Sequence, residues 1–320
     1  MKRLIRIGSR ESVLAVAQAR LIIDAIARSY PEMEVGLVTM KTSGDLNQTP
    51  FDRLRTPQDR FGAKGLFVKE LEQALLDGKI DLAVHSLKDM PMEQDERLPL
   101  VAFCERGDPR DALVLPAGRS EPGVGAAGCS SARRRVQLEK IMPDRRVESV
   151  RGNVLTRLKK LDGGQYAFLV LAAVGLRRLG LDARISRVFA ADEILPSAGQ
   201  GILTCQGRSD GAYDFLDALR DPDATDCALA ERAFVRVLGG GCTLPVAALA
   251  EVHGGELRLT GLYADEPRGI YRRGTLSGDR GDAVRLGENL ALKLQSDEES
   301  DVGSLREKLT GLAAPARCLR

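Results

Sequence analysis

The chain is 320 residues long, 43% hydrophobic and 29% charged, with a net charge of +2. That length accommodates two or three domains, each with its own core, and the composition excludes a low-complexity or fibrous protein. No apolar run reaches the roughly 18 residues of a membrane span, and with only two histidines and six cysteines that form no Cys-x-x-Cys pair, a multi-histidine metal site and a disulfide framework are excluded too.

The N-terminal Met1-Lys2-Arg3 carries charge without a following apolar stretch of signal-peptide length. Together with the scattered cysteines this points to a reduced, cytoplasmic protein. Residues 3–8 alternate as a short strand, and Ser12 opens an apolar-periodic helix that stops before Pro31. Val35–Met40 reads as a strand. The breaker-rich Lys41–Lys64 is long enough for a functional loop. A helix over Leu66–Asp77, closed by Gly78, and a strand over Ile80–Val84 complete a parallel α/β pattern. In such sheets ligands sit beyond the carboxyl ends of the strands, which here means His85-Ser86-Leu87-Lys88-Asp89.

A second α/β unit follows from about Arg110, with strands at Ala112–Leu115, Arg146–Val150 and Phe168–Ala172. Its helices are Ser131–Ile141, one capped by Asn153 through Leu161, and one around Leu176–Leu179. Ile202–Cys205 reads as a strand that returns to the first unit, making a two-domain clamp with crossing hinges. Asp223 is expected to cap an amphipathic helix to Leu238, ended by Gly239–Gly241. Strand-like runs Val246–Val252, Glu256–Tyr263 and Gly269–Leu276, then helical stretches, make a small α+β domain.

Charge is unevenly placed. Between Gly128 and Lys160 ten basic residues face three acidic ones, a local net of +7 that the rest of the chain offsets. Ser130-Ser131-Ala132-Arg133-Arg134 and Arg151-Gly152-Asn153 with Arg157 each stand where a strand gives way to a helix. Guanidinium forks and helix-start amides there suit an anionic ligand, polycarboxylate or phosphate. Neither a Walker motif nor Gly-x-Gly-x-x-Gly is present, which counts against nucleotides. Lys88-Asp89 reads either as a surface ion pair or as a carboxylate held near cations to steady charge and move protons. Cys242, after three glycines, is either a buried packing residue or a presented thiol.

Taken together, the motifs resemble the porphobilinogen deaminase family, and they run almost end to end. They are Gly8-Ser9-Arg10-Glu11-Ser12 with Gln18, Lys64-Gly65-Leu66-Phe67, Ala83 through Pro91, and Arg106 through Ala112. Ser130 through Arg134, Arg151-Gly152-Asn153 with Arg157, Gly175 through Gly180, Gly199-Gln200-Gly201 and Gly241-Cys242-Thr243-Leu244-Pro245 complete the series. The resemblance implies a transferase of tetrapyrrole (haem-type) biosynthesis. It joins four porphobilinogens head to tail, releases ammonia each time, and yields hydroxymethylbilane. It also implies a dipyrromethane primer attached as a thioether at Cys242, so that the thiol is an anchor rather than a nucleophile that turns over.

By the same resemblance Asp89 and Lys88 are catalytic. Arg10, Ser12, Lys88, Ser130, Ser131, Arg133, Arg134 and Arg157 would hold the cofactor. Arg10, Gln18, Lys64, Phe67, Arg151, Arg157, Arg178 and Gln200 would hold substrate, with no metal. The implied fold is two periplasmic-binding-protein-like α/β domains plus a small C-terminal α+β domain. The expected divisions are 1–105 with 200–220, then 110–196, then 223–320, in a monomer that binds neither nucleic acid nor membrane. Departures from the family pattern are Cys129, Ser197, Gln206 in place of a glutamate, a longer segment around Phe51–Arg60 and a shorter Ala117–Ala127. The competing class is a two-lobed anion-binding module without catalysis, which leaves Cys242 unexplained. A nucleic-acid binder is disfavoured by 4% aromatics and the lack of a binding motif.

Overall fold

A computed structural model describes residues 4–42, 68–239 and 244–296. Three sheets organise them. In β1 (Leu4–Arg10) Ile5 and Ile7 point inward, and the strand runs parallel to β2 (Glu34–Met40) and to β3 (Leu82–Ser86). The crossover α1 (Val13–Ser29) starts at Ser12, whose hydroxyl accepts the Ala15 amide at 3.3 Å. Its Ala19, Ile22 and Ile26 pack on one face of the sheet with Leu82 and Val84. The next helix, α2 (Lys69–Leu76), buries Leu71 and Leu75 with Ala83 on the other face. Ile80, expected to begin β3, instead donates its amide to Ala74 O and belongs to the turn that ends α2. After β3 a 3-10 turn spans Leu87–Asp89, and β4 (Leu100–Phe103) follows, a strand that sequence periodicity misses.

The chain then builds a second sheet from β5 (Asp111–Val114), β6 (Ala127–Gly128), β7 (Val147–Glu148), β8 (Phe168–Ala172) and β9 (Arg187–Val188), in the order β7-β6-β8-β5-β9. Strand β6 is parallel to both neighbours, whereas β5 is antiparallel to β8 and β9. Helices α3 (Ala132–Ile141) and α4 (Val154–Asp162) cover opposite faces, Leu138 packing with Phe168 and Val170, and Leu158 and Leu161 with Leu169 and Leu171. Asn153 caps α4 by accepting the Thr156 amide at 2.9 Å. The short α5 (Ala173–Arg177) leaves the end of β8.

Next, β10 (Leu203–Gln206) returns to the first sheet and inserts antiparallel between β3 and β4, giving the order β2-β1-β3-β10-β4. Both sheets are therefore mixed rather than purely parallel, as chain reversal at each crossing requires. The two connections touch: the Gly107 amide donates to Gly201 O at 3.2 Å. Gly201 has φ +95°, and a Cβ there would lie 2.3 Å from Gly107 O, so the crossing needs glycine twice over.

The third sheet is antiparallel, β11 (Val246–His253), β12 (Glu256–Asp265) and β13 (Ile270–Asp279) in that order. One face carries α6 (Pro222–Val237) and α7 (Ala283–Gln295), with Phe234, Leu290 and Leu294 on Leu257 and Leu259. Asp221, not Asp223, caps α6 by accepting the Ala224 amide at 2.6 Å, because Pro222 takes the first helical position where its fixed φ fits. Two α/β lobes and a small α+β domain match the expected fold class. Among the described residues no helix is long and apolar enough to cross a membrane.

Candidate active site

The carboxyl ends of β1 and β3 face the helix starts of the second lobe across a cleft. Its first-lobe wall is Arg10 at the end of β1, the α1 cap Ser12 and Gln18 within α1, Ser86 at the end of β3, and Lys88 and Asp89 just after it. Its second-lobe wall is Arg134 of α3, Val154 and Arg157 of α4, and Arg178 after α5. The cleft is open to solvent and contains a cavity of about 140 Å³. Among the described residues five cations line it against one carboxylate, Asp89, which is exposed on the floor.

These cations are held in unusual settings. Lys88 is only partly exposed, and burial draws its pKa down to about 8 against the opposing pull of Asp89. Burial and the neighbouring charges of Arg134 and Arg151 bring Arg157 to about 10, and burial does the same to Arg178. Burial works against the Arg134 charge as well, but Asp111 more than offsets it. The Arg134 Nε, buried, finds no hydrogen-bond partner among the described residues. Arg157 Nε donates to Gly152 O at 2.7 Å, and Arg178 Nη2 to Gly201 O at 2.6 Å, which ties one cleft cation to the interlobe crossing.

Other residues singled out in the sequence lie elsewhere. Arg133 is turned away from the cleft, donating to Leu195 O at 2.6 Å and pairing with Asp111 at 2.8 Å. Ser130 donates to Val150 O, and Ser131 precedes α3 without capping it. Gln200 is fully buried between the lobes, and Arg151 is half-buried beside the cleft rather than in its lining. Cys242, Lys64 and Phe67 lie outside the described residues. Of the departures, Cys129 is a packed core residue, and the Gln206 amide donates to Glu72 Oε1 at 3.1 Å and Leu98 O at 3.0 Å.

Sequence reasoning missed two buried carboxylates. Asp111 receives Arg133, Arg134 and Gln200, and Glu231 receives both Nη atoms of Arg106. The available signal was a charge set at the head of an apolar strand, Asp111-Ala112-Leu113-Val114, and another within the apolar face of α6.

A group bearing several carboxylates suits this lining, because among the described residues the cations outnumber the acid. The fold and the cleft define a two-lobed α/β protein with a cation-lined cleft between its lobes. Residues 5–213 match the family model "Porphobilinogen deaminase, dipyromethane cofactor binding domain", and residues 225–296 match the "Porphobilinogen deaminase, C-terminal domain". The chain belongs to the porphobilinogen deaminase family. It is 52% identical over 293 residues to the porphobilinogen deaminase of Acetivibrio thermocellus, covering 91% of this chain and 97% of that one. Its identity to that of Alkaliphilus oremlandii is 49%, over 92% and 98%. To that of Methylobacillus flagellatus it is 44%, over 90% and 93%.

Proposed function

We propose that the cleft condenses four porphobilinogens head to tail, with loss of ammonia, on a dipyrromethane anchored at Cys242, giving hydroxymethylbilane for tetrapyrrole biosynthesis. The observation that carries this is the exposed Asp89 beside Lys88 on a floor overlooked by Arg10, Arg134, Arg157 and Arg178. When bound, the dipyrromethane would supply the free pyrrole carbon at which the chain grows.

The protein's own groups account for the remainder. Acetate and propionate side chains of substrate pair with the arginine forks, which stay charged at neutral pH even where burial lowers their pKa. Asp89 accepts hydrogen bonds from pyrrole N–H groups and opposes the positive charge that develops as ammonia leaves the aminomethyl carbon. It then takes the proton lost when the pyrrole carbon is substituted. Lys88, with a pKa of about 8, is poised to give a proton to the departing amine near neutral pH. Ser12 and Gln18 add neutral hydrogen bonds from α1. Arg133, Ser130 and Ser131 support the wall from behind, and Lys64 and Phe67 complete the proposed substrate set. We further assign the enzyme to the cytoplasm as a monomer, in keeping with its scattered, reduced cysteines.

Intact mass of the native protein tests this reading. A mass increment of one dipyrrole, absent in Cys242→Ser, is the expected result. A folded, unmodified native protein that releases no ammonia from porphobilinogen would leave only the anion-binding module.

A further inference from the structure

Asp111 opens β5 and is fully buried, yet its carboxylate serves three side chains from two separate parts of the chain. Oδ1 accepts from Arg134 Nη2 at 2.8 Å and from Gln200 Nε2 at 2.9 Å, and Oδ2 pairs with Arg133 Nη2 at 2.8 Å. Gln200 stands on the connection that returns from the second lobe to the first. Its Nε2 also donates to Pro109 O at 2.5 Å, and its Oε1 accepts from Lys88 Nζ at 3.2 Å. A line of contacts therefore runs Arg134–Asp111–Gln200–Lys88, from the second-lobe wall of the cleft to the floor beside Asp89.

The residue type at position 200 follows from what stands on either side. An acceptor must face an ammonium while a donor faces a carboxylate. Glutamate would repel Asp111, lysine would repel Lys88, and an apolar residue would strand both buried partners. Two arginines against one buried carboxylate also leave an uncompensated positive charge. Each arginine also donates to a backbone carbonyl, Arg133 to Leu195 O and Arg134 to Val170 O, but Arg134 is the one of the two that lines the cleft, so that charge lies on the cleft side.

We propose that Asp111, acting through Gln200 and Arg134, is a positioning residue: it keeps the Lys88 ammonium charged and aimed beside Asp89, and holds the Arg134 guanidinium in the cleft wall. Around that ammonium stand Asp89, Asp111 and the Gln200 carbonyl, which favour its charge, and Arg133 and Arg134, which oppose it along with burial. The proposal rests on the deaminase reading of the cleft.

Trace acetylation of the whole protein with acetic anhydride across pH, read at Lys88 by peptide mass, tests it without turnover. The wild-type midpoint is expected at about 8. In Gln200→Met and Asp111→Asn it should fall by about one pH unit, because the charged form loses an acceptor or a counter-charge. In Gln200→Glu it should rise. The alkaline limb of kcat/KM should move the same way, whereas a merely structural role would lower rates equally at every pH. The Gln200 pair decides the matter if Asp111→Asn fails to fold. An ordinary lysine midpoint in the wild type, or the same midpoint in wild type and Gln200→Met, overturns the proposal. A wild type inert toward porphobilinogen would sink the deaminase reading while leaving the labelling result standing.

Discussion

Arg106 and Glu231 form a two-pronged ion pair, Nη1 to Oε1 at 2.7 Å and Nη2 to Oε2 at 2.8 Å, where the interlobe connections meet the third domain. Glu231 is wholly buried, and its oxygens also accept the amides of Gly199 and Ala250 at 2.6 and 2.7 Å. Arg106 reaches the Gln200 and Ala250 carbonyls in turn. Removing one partner strands a buried charge, so Arg106→Met should cost about 3–5 kcal/mol in denaturant unfolding. The double variant Arg106→Met with Glu231→Gln should lose less than that, since the stranded charge is gone. Equal or greater loss in the double variant would contradict this account.

Asp89 is exposed on the cleft floor, beyond β3 in the Leu87–Asp89 turn. Asp89→Asn should fold with wild-type unfolding temperature and carry the native mass increment, while turnover falls about 10²- to 10⁴-fold. Steady-state ammonia release beside intact mass checks both halves. Near-normal turnover would remove Asp89 from proton transfer.

Arg157 shares the second-lobe wall with Arg134, and both its like-charged neighbours and burial disfavour its charge. A ligand carboxylate relieves that cost. Arg157→Leu should therefore leave the ligand-free protein at least as stable as wild type, yet raise KM by about 10- to 100-fold through loss of a charged hydrogen bond. Reduced stability with unchanged KM would place Arg157 in the scaffold instead.

His85 sits under the floor with its pKa drawn down to about 4, chiefly by burial and further by Arg10, against the opposing effects of Gln206 and Asp89. Between pH 4 and 6.5 the unfolded chain binds a proton at this residue that the folded one refuses, so stability rises with pH across that window. The contribution is complete above pH 6.5 and is lost as pH falls toward 4, on the order of 3 kcal/mol. Unfolding measured from pH 4 to 7 should be visibly flatter in His85→Gln than in wild type. Parallel curves would show that His85 ionises without penalty.

Gly201 holds φ +95° against the Gly107 carbonyl. In Gly201→Ala an added Cβ meets backbone that cannot yield, in a conformation L residues avoid, so the two connections must separate. Unfolding temperature should drop and the pH-independent kcat/KM should fall with it. Gly254→Ala, in a hairpin with φ +64° and nothing near the added Cβ, is the control for strain without the clash. Equal effects at the two positions would deny the crossing its special role.

Local signals carried much of this architecture. Ser12 and Asn153 are side-chain caps that need only their own next residues, and the hairpins of the third domain alternate plainly enough to place each strand. The arginine clusters were visible as charge, but charge alone does not say where a guanidinium turns. Arg134 and the adjacent Arg133 share Asp111 and diverge through their other partners, Val170 O and Leu195 O, groups distant in sequence. Likewise β4 is legible only once β10 is known to lie beside it. Position 200 read as a ligand contact because the resemblance supplies residue types, not the buried partners on either side of them.

The insertion of β10 between β3 and β4 has a consequence for synthesis. Among the described residues β4 pairs with β10 alone, so when Phe103 leaves the ribosome the edge of β3 has no neighbour there until Leu203 follows it. Translation of the intervening stretch takes roughly 5–20 s at ordinary speeds, time in which the second lobe can form first. The nascent first lobe thus passes through a stage with an open strand edge, exposed to pairing with other chains. The last strand to arrive is the one that both closes that gap and draws the two lobes together.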